Sequence, residues 1–151
     1  MSHLFSPYTL KSVTFRNRVA VSPMSQYRAI DGVANDWHLV HLGRFAMGGA
    51  GLVFAEATAV TREGRRTHGD LGLWSDDQIA PLARIADFLA AEGAVPGVQL
   101  GHAGRKSSER RPGTAKRPWM RKTRRRAARR RGRRWVHPPS PTPKAGQRRM
   151  R

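Results

Sequence analysis

The chain has 151 residues, no cysteine and a formal net charge of +19, and that charge is unevenly distributed. Residues 1–109 contain 11 Lys and Arg and all 10 acidic residues, whereas residues 110–151 contain 18 basic residues and no acidic one. The lack of cysteine excludes disulfides and thiolate metal sites. There is no signal-peptide pattern and no run of about 18 apolar residues. We therefore expect a cytoplasmic protein that does not contact a membrane.

A short buried strand at residues 18–22 is the first predicted element of the interior. Its apolar run stops at Ser22-Pro23, because proline cannot continue a ladder of backbone hydrogen bonds. After a polar loop, Asn35 or Asp36 is predicted to cap a helix that ends at Gly48-Gly49.

The next strand and helix have clear local signals. The run GLVFAEATAV at 51–60, interrupted only by Glu56, is typical of a strand buried on both faces of a parallel sheet. Ser75 and Gln78 then form a capping box for a helix that Gly93 ends.

A third apolar run at 95–100 completes the order strand, helix, strand, helix, strand. This order is typical of right-handed βαβ units and predicts an α/β fold. A closed (β/α)8 barrel takes roughly 250 residues. Residues 1–109 are therefore expected to form an α/β domain that is too short to be a complete barrel.

Four segments resemble a known family: SPMSQY (22–27), WHLVHLGRFAMGGAGLVFAEATAV (37–60), EGRRTHGDLGLWSD (63–76) and GVQLGHAGRKSS (97–108). They stand in the order and spacing of the bacterial ene-reductase branch of the Old Yellow Enzyme family of NADH:flavin oxidoreductases and NADPH dehydrogenases. The resemblance covers residues 4–109. It implies the N-terminal portion of a TIM barrel that holds FMN. It also implies an oxidoreductase in which NADPH or NADH reduces the flavin, and the flavin passes hydride to a small activated alkene.

The resemblance also assigns residues to the flavin. It places Ser22, Pro23 and Met24 at the end of the first barrel strand, with backbone groups facing the flavin ring. Ala57, which ends the second strand, is similar to another ring contact. Gln99, on the third strand, resembles the family glutamine whose amide bonds the pyrimidine edge of the ring. Such contacts tune the flavin, which performs the hydride chemistry itself.

Two further residues follow from the same resemblance. Tyr27 resembles the family tyrosine that reaches over the flavin to the substrate, and it is the predicted catalytic residue. Ser25 stands where the best-known members of the branch have a cysteine beside the flavin. It can donate a hydrogen bond but offers no thiol chemistry, so the flavin potential and substrate preference of those members do not carry over. A homo-oligomer is expected only for an intact family member.

Three histidines have both a functional and a structural interpretation. His38 and His41 stand three apart on a predicted helix, a spacing that suits a metal ion, but no third ligand is near, so structural packing is favoured and no metal site is predicted. His102 is a candidate proton donor, although a loop histidine that bonds the backbone is the favoured interpretation.

Three other charged groups are equally ambiguous. Glu56 in an apolar strand is either catalytic, since buried carboxyls acquire raised pKa values, or part of a structural ion pair. The ion pair is favoured, with Arg18 or Arg105 as partner. Arg105-Lys106 is either a site for a phosphate of FMN or NADPH or a stretch of solvated loop charge, and the sequence leaves both open.

Residues 110–151 form a separate Arg- and Pro-rich tail that cannot bury a core and is predicted to be disordered. One interpretation is an arm that binds nucleic acid without sequence preference, with Trp119 or Trp135 stacking on bases. The other is a reading frame that slips near residues 109–113, since 15 of the 18 basic residues are Arg, as out-of-frame GC-rich DNA would encode. We favour the frame slip, which predicts that the chain is an inactive fragment of an enzyme.

Overall fold

The computed structural model describes residues 3–107 together with residues 109 and 112. Apart from Pro112, the predicted tail lies outside the described residues. In chain order the elements are β1 (Tyr8–Leu10), β2 (Val13–Phe15), β3 (Ala20–Val21), α1 (Asp36–Met47), β4 (Leu52–Ala59), β5 (Leu71–Gly72), α2 (Ile79–Ala91) and β6 (Val95–Gly101).

A parallel sheet with β4 at its centre organises these elements. On one side β4 pairs with β3, with Ala20 opposite Leu52, and on the other it pairs with β6 over its whole length. The short β5 pairs with the carboxyl end of β4, while β1 and β2 form a separate antiparallel hairpin. The three strands predicted from apolar runs, β3, β4 and β6, thus lie side by side in the sheet. Helices α1 and α2 lie in the connections between them. The predicted α/β class is confirmed.

Side chains form capping boxes at the start of α1 and at the turn that precedes α2. Asn35 is the N-cap of α1: its side chain accepts from the Trp37 N–H at 3.1 Å, and it forms a capping box with His38. Ser75 and Gln78 form the predicted capping box at the 3-10 turn that leads into α2. In the described part of the chain no helix is long and apolar enough to cross a membrane.

The core lies between the sheet and the two helices. Val53 on β4 is fully buried, and it belongs to one cluster with Leu42 of α1 and with Ile85 and Leu89 of α2. This packing covers one face of the sheet and holds the carboxyl ends of β4 and β6 side by side.

Arg16 connects the C-terminal ends of both helices at the opposite end of the sheet. Its guanidinium donates to the carbonyl of Ala46 at 2.6 Å, to that of Ala50 at 3.0 and 3.2 Å, and to that of Glu92 at 2.8 Å. The last carbonyls of a helix have no partner within the helix and carry the negative end of its dipole. One cation therefore satisfies the ends of α1 and α2 together.

Candidate functional site

A cleft of about 470 Å³ opens where β4 and β6 end. The backbone register places Ala57 opposite Gln99 and Ala59 opposite Gly101, so the ends of the two strands form one wall. The other walls come from the loops that follow these strands. The lining residues are Ala57, Thr58, Ala59, Gly64, Arg65, Arg66, Asp70, Gln99, Leu100, Gly101, His102, Ala103 and Lys106.

The structure brings two of the predicted cofactor residues together at this cleft. Ala57 and Gln99 are exposed neighbours on adjacent strands, and both line it. The loop 22–25, directly after β3, follows the same edge of the sheet, but its residues do not line this cleft. Within the loop Pro23 is half-buried, and the other three residues are exposed.

Tyr27, the predicted catalytic residue, is half-buried and has an unusual backbone conformation. Its φ angle is +58°, in the left-handed region that non-glycine residues rarely adopt. The preceding residue is firmly held, because the Gln26 N–H donates to Glu56 Oε2 at 2.7 Å and the Gln26 side-chain oxygen accepts from Trp37 Nε1 at 3.2 Å. The backbone at Tyr27 is thus held by its surroundings.

Glu56 is buried, and its partner is a histidine rather than an arginine. The Oε1 atom lies 3.2 Å from Nε2 of His38, at ion-pair distance but without hydrogen-bond alignment. The prediction that Glu56 pairs with Arg18 or Arg105 is wrong. Arg18 precedes β3 and stacks over the Tyr8 ring at 4.8 Å, and Arg105 lies on an exposed turn after β6. The first turn of α1, by contrast, reaches Glu56.

Asn35 fixes the orientation of the His38 ring. Nδ1 lies 3.1 Å from both the backbone nitrogen and the side-chain Oδ1 of Asn35, and Nε2 faces Glu56. The His41 ring packs edge-on against Phe45 at 5.3 Å. Burial lowers the pKa of His41 below its ordinary value, and Arg44 and His38 lower it further against the opposing attraction of Glu56. Among the residues with described positions, no third ligand joins the two histidines.

The loop after β4 contributes basic groups that the sequence interpretation did not single out. Arg65 is buried, with Nη1 3.3 Å from Asp31 Oδ1 and its guanidinium 4.9 Å from the centre of the Trp74 ring. Burial is the main cause that lowers the pKa of Arg65. Asp70 holds the loop by accepting from the N–H groups of Arg66 and Thr67 at 2.9 and 3.0 Å. The sequence did contain a signal for these residues: the loop directly follows a parallel strand, and such loops build the active sites of barrels.

The loop after β6 contains His102, Arg105 and Lys106, for which the sequence left a functional and a structural interpretation open. His102 Nδ1 accepts from the Gly104 N–H at 3.0 Å, in agreement with the backbone-bonding interpretation. Arg105 and Lys106 lie exposed on the 3-10 turn Gly104–Lys106, and of the two only Lys106 lines the cleft.

The fold and the cleft define an α/β protein with a ligand-sized opening at the carboxyl ends of parallel strands. Residues 3–129 match the model of the NADH:flavin oxidoreductase / NADH oxidase family. The chain belongs to this family, whose cofactor is FMN and whose reductant is NADH or NADPH. The resemblance found in the sequence is confirmed. The match runs past residue 109, and the domain boundary there stays a prediction.

Two curated relatives show how much of the family the chain represents. It is 51% identical over 105 residues to an NADH:flavin oxidoreductase of Gibberella zeae, which covers 70% of this chain and 25% of the relative. It is 51% identical over 109 residues to an NADPH dehydrogenase of Listeria monocytogenes serotype 4a, which covers 71% of this chain and 32% of the relative. The chain thus spans about a third or less of each relative.

Comparison with solved structures supports the same family. Morphinone reductase matches with a TM-score of 0.64 and 33% identity over 69% of this chain and 27% of its own length. The old yellow enzyme from Trypanosoma cruzi matches with a TM-score of 0.62 and 30% identity over 70% of this chain and 28% of its own.

The residues at the cleft suit a flavin ring. The Gln99 amide offers both a donor and an acceptor, which the carbonyls and ring nitrogens of an isoalloxazine edge require. Ala57 is small enough for a flat ring to approach the strand. At Gly101 an added Cβ would meet nothing within 4 Å, so the space beyond the strand is open. The donor set and the space therefore fit the cofactor of the family.

Proposed function

We propose that this chain forms the first βα units of a TIM barrel and one wall of the FMN site of an NAD(P)H-dependent ene-reductase. The adjacency of Ala57 and Gln99, exposed at the carboxyl ends of β4 and β6, is the observation that carries this proposal. Active sites of such barrels are built at this face. The chemistry that bound FMN supplies is the transfer of hydride from the nicotinamide to an activated alkene.

In this proposal the residues of this chain bind the flavin ring and orient the substrate. Gln99 bonds the polar edge of the ring, and Ala57 packs beside it. Ser22, Pro23 and Met24 offer backbone groups to the ring, and Ser25 offers a hydroxyl where other members use a thiol. Tyr27 directs its phenol toward the substrate. In this proposal Lys106 adds positive charge at the mouth of the cleft, which favours an anionic group there.

We further propose that the chain by itself binds FMN weakly and does not turn over. The chain contributes one open wall, whereas tight ligand sites bury most of their ligand. The paired substrate anchors and the FMN phosphate loops expected in this family belong to later strands. Much of the anion-binding contribution to affinity would then be absent.

A titration of the purified 151-residue chain with FMN, followed by quenching of flavin fluorescence, tests the site. The chain offers a matched pair of variants, because Gln99 lines the cleft and its neighbour Val98 lines the apolar groove beside α2. Gln99→Ala removes a polar partner of the ring, at a cost of roughly 1–3 kcal/mol, or about 5- to 150-fold in affinity. Val98→Ala is expected to leave the affinity unchanged.

Two results would overturn separate parts of the proposal. Equal effects of Gln99→Ala and Val98→Ala would remove the flavin from this cleft. Purification of the chain with stoichiometric FMN, together with oxidation of NADPH by that sample, would make the chain an enzyme in its own right.

The basic segment supports a second candidate function. Residues 110–151 contain 18 basic and no acidic residues, so non-specific binding to RNA or DNA is the alternative. Counterion release predicts an affinity whose logarithm falls steeply and linearly with the logarithm of the salt concentration, without sequence preference. Filter binding of unrelated oligonucleotides at several salt concentrations checks this, and a salt-independent affinity would exclude it.

A further inference from the structure

We infer that Glu56 is a positioning residue for Tyr27 and that it acts through the backbone N–H of Gln26. The role of Tyr27 toward the substrate rests on the proposed function, whereas the positioning itself does not. Glu56 is not a lining residue of the cleft and is only 3% exposed, so the carboxylate acts on the site through the loop it binds.

The backbone at Tyr27 requires such a restraint. Among the described non-glycine residues, positive φ angles occur at Lys11, Tyr27 and Asp31. Asp tolerates this region comparatively well, whereas an aromatic residue there is strained. A strained conformation of this kind costs on the order of 1–3 kcal/mol and persists only where the surroundings over-determine it.

Contacts on both sides of Tyr27 provide that restraint. Before it, the Gln26 N–H donates to the Glu56 carboxylate at 2.7 Å, and the Gln26 side chain donates to the Met24 carbonyl at 2.8 Å. After it, the Ala29 N–H donates to the Gly69 carbonyl at 2.9 Å. The bond to Glu56 is the one with a charged acceptor. Charge-assisted bonds are roughly twice as strong as neutral ones.

The Glu56 carboxylate is itself held in place by α1. Its second oxygen faces Nε2 of His38, and Nδ1 of that ring lies 3.1 Å from the backbone nitrogen and the side-chain oxygen of the N-cap residue Asn35. A buried carboxylate is costly unless it is paired and hydrogen-bonded. Here the Gln26 amide provides a hydrogen bond to one carboxylate oxygen, and the His38 ring lies 3.2 Å from the other. The start of α1, the middle of β4 and the loop that carries Tyr27 therefore form one connected unit.

The two tyrosines of the chain make the inference directly measurable. Fluorotyrosine incorporated into the 151-residue chain gives two ¹⁹F signals, and Tyr8→Phe assigns them. Tyr8 is an internal reference in β1, where its ring stacks on Phe15 at a centroid distance of 6.3 Å. Glu56→Leu is expected to shift and broaden the Tyr27 signal and to leave the Tyr8 signal in place.

A conservative variant and a matched control complete the test. Glu56→Gln keeps an acceptor for the Gln26 N–H but removes its charge, so the hydrogen exchange of that amide should accelerate about tenfold while the Tyr27 signal moves less than in Glu56→Leu. Asp87→Asn neutralises an exposed carboxylate of α2, outside this unit, and it should change neither readout.

An unchanged Tyr27 signal in Glu56→Leu would overturn the inference. If Glu56→Leu shifts both tyrosines through loss of the fold, the Glu56→Gln result decides: an unchanged exchange rate at Gln26 would then overturn it. Neither readout requires FMN or turnover. Failure of the Gln99 titration would therefore remove the proposed function without affecting this result.

Discussion

Replacing Arg16 by Met should destabilise the fold more than any exposed charge removal in the described region. The guanidinium donates to three backbone carbonyls, those of Ala46, Ala50 and Glu92, at 2.6–3.2 Å. These carbonyls belong to the C-terminal ends of α1 and α2, so one substitution releases both helix ends. Methionine preserves much of the aliphatic stem, which limits the loss to the charged head.

The size of the effect follows from the number of bonds and their exposure. A hydrogen bond to a charged group contributes about 1.5–3 kcal/mol net. The contributions of the individual hydrogen bonds cannot simply be added, because Arg16 is exposed and water can bond some of the backbone carbonyls that the substitution leaves free. We therefore expect a loss of about 2–3 kcal/mol, close to the value of one such bond.

The control is Arg84→Met, which removes a pair whose side chains are 65% and 81% exposed. Such surface pairs contribute about 0–1 kcal/mol. The assay is urea unfolding of the 151-residue chain, followed by far-ultraviolet circular dichroism. Arg16→Met should lower the midpoint by about 1–2 M with an unchanged slope. Equal midpoints for the two variants would refute the role of Arg16 at the helix ends.

Three further outcomes are expected. Gly51→Ala places a Cβ 2.6 Å from the carbonyl oxygen of Asn17 and should destabilise by about 1–3 kcal/mol in the same urea assay, whereas Gly101→Ala, with nothing within 4 Å, should not. Burial lowers the pKa of His41 below its ordinary value of 6.5, so its contribution to stability is fully present above pH 6.5 and is lost as the pH falls from 6.5 through the lower pKa of the folded state; unfolding free energies measured below pH 6.5 should fall less steeply for His41→Gln. Gln78→Leu removes the side chain that accepts two backbone N–H bonds at 2.8 and 3.2 Å, so those amides should show faster hydrogen exchange.

Local signals in the sequence were sufficient for both helices and for strands β3, β4 and β6, but not for β1, β2 and β5. Asn35 or Asp36, and the pair Ser75 and Gln78, were identified as caps because a cap bonds backbone groups only two or three residues away, and the structure selects Asn35 and confirms the capping box of Ser75 and Gln78. The apolar runs identified three of the four strands of the parallel sheet, β3, β4 and β6, for a similar reason. A strand covered by helices needs continuous apolar residues, and this requirement does not depend on which strand lies beside it.

Contacts between distant segments were not accessible in the same way. The sequence indicated that Glu56 needs a partner, but not that the partner is His38, because the choice depends on how α1 packs over β4. A register shift between Ala55 and Ala57 affects the same stretch of β4, and no local pattern announces it. The basic residues of the loop after β4 were likewise recognisable as a family segment, while their place at the cleft required the folded chain.

The sequence by itself therefore determined the α/β class, the helix caps, the strands β3, β4 and β6, and the family, because these depend on neighbouring residues or on motifs read in order. Only the tertiary structure decided that Ala57 and Gln99 share one cleft, that loop 22–25 lies outside its lining, and that a carboxylate on β4 holds the loop that carries Tyr27. The physical reason is that hydrogen bonds and ion pairs form between atoms a few ångströms apart, and proximity across 30 residues, as between Gln26 and Glu56, is set by the packing of the whole sheet and its helices.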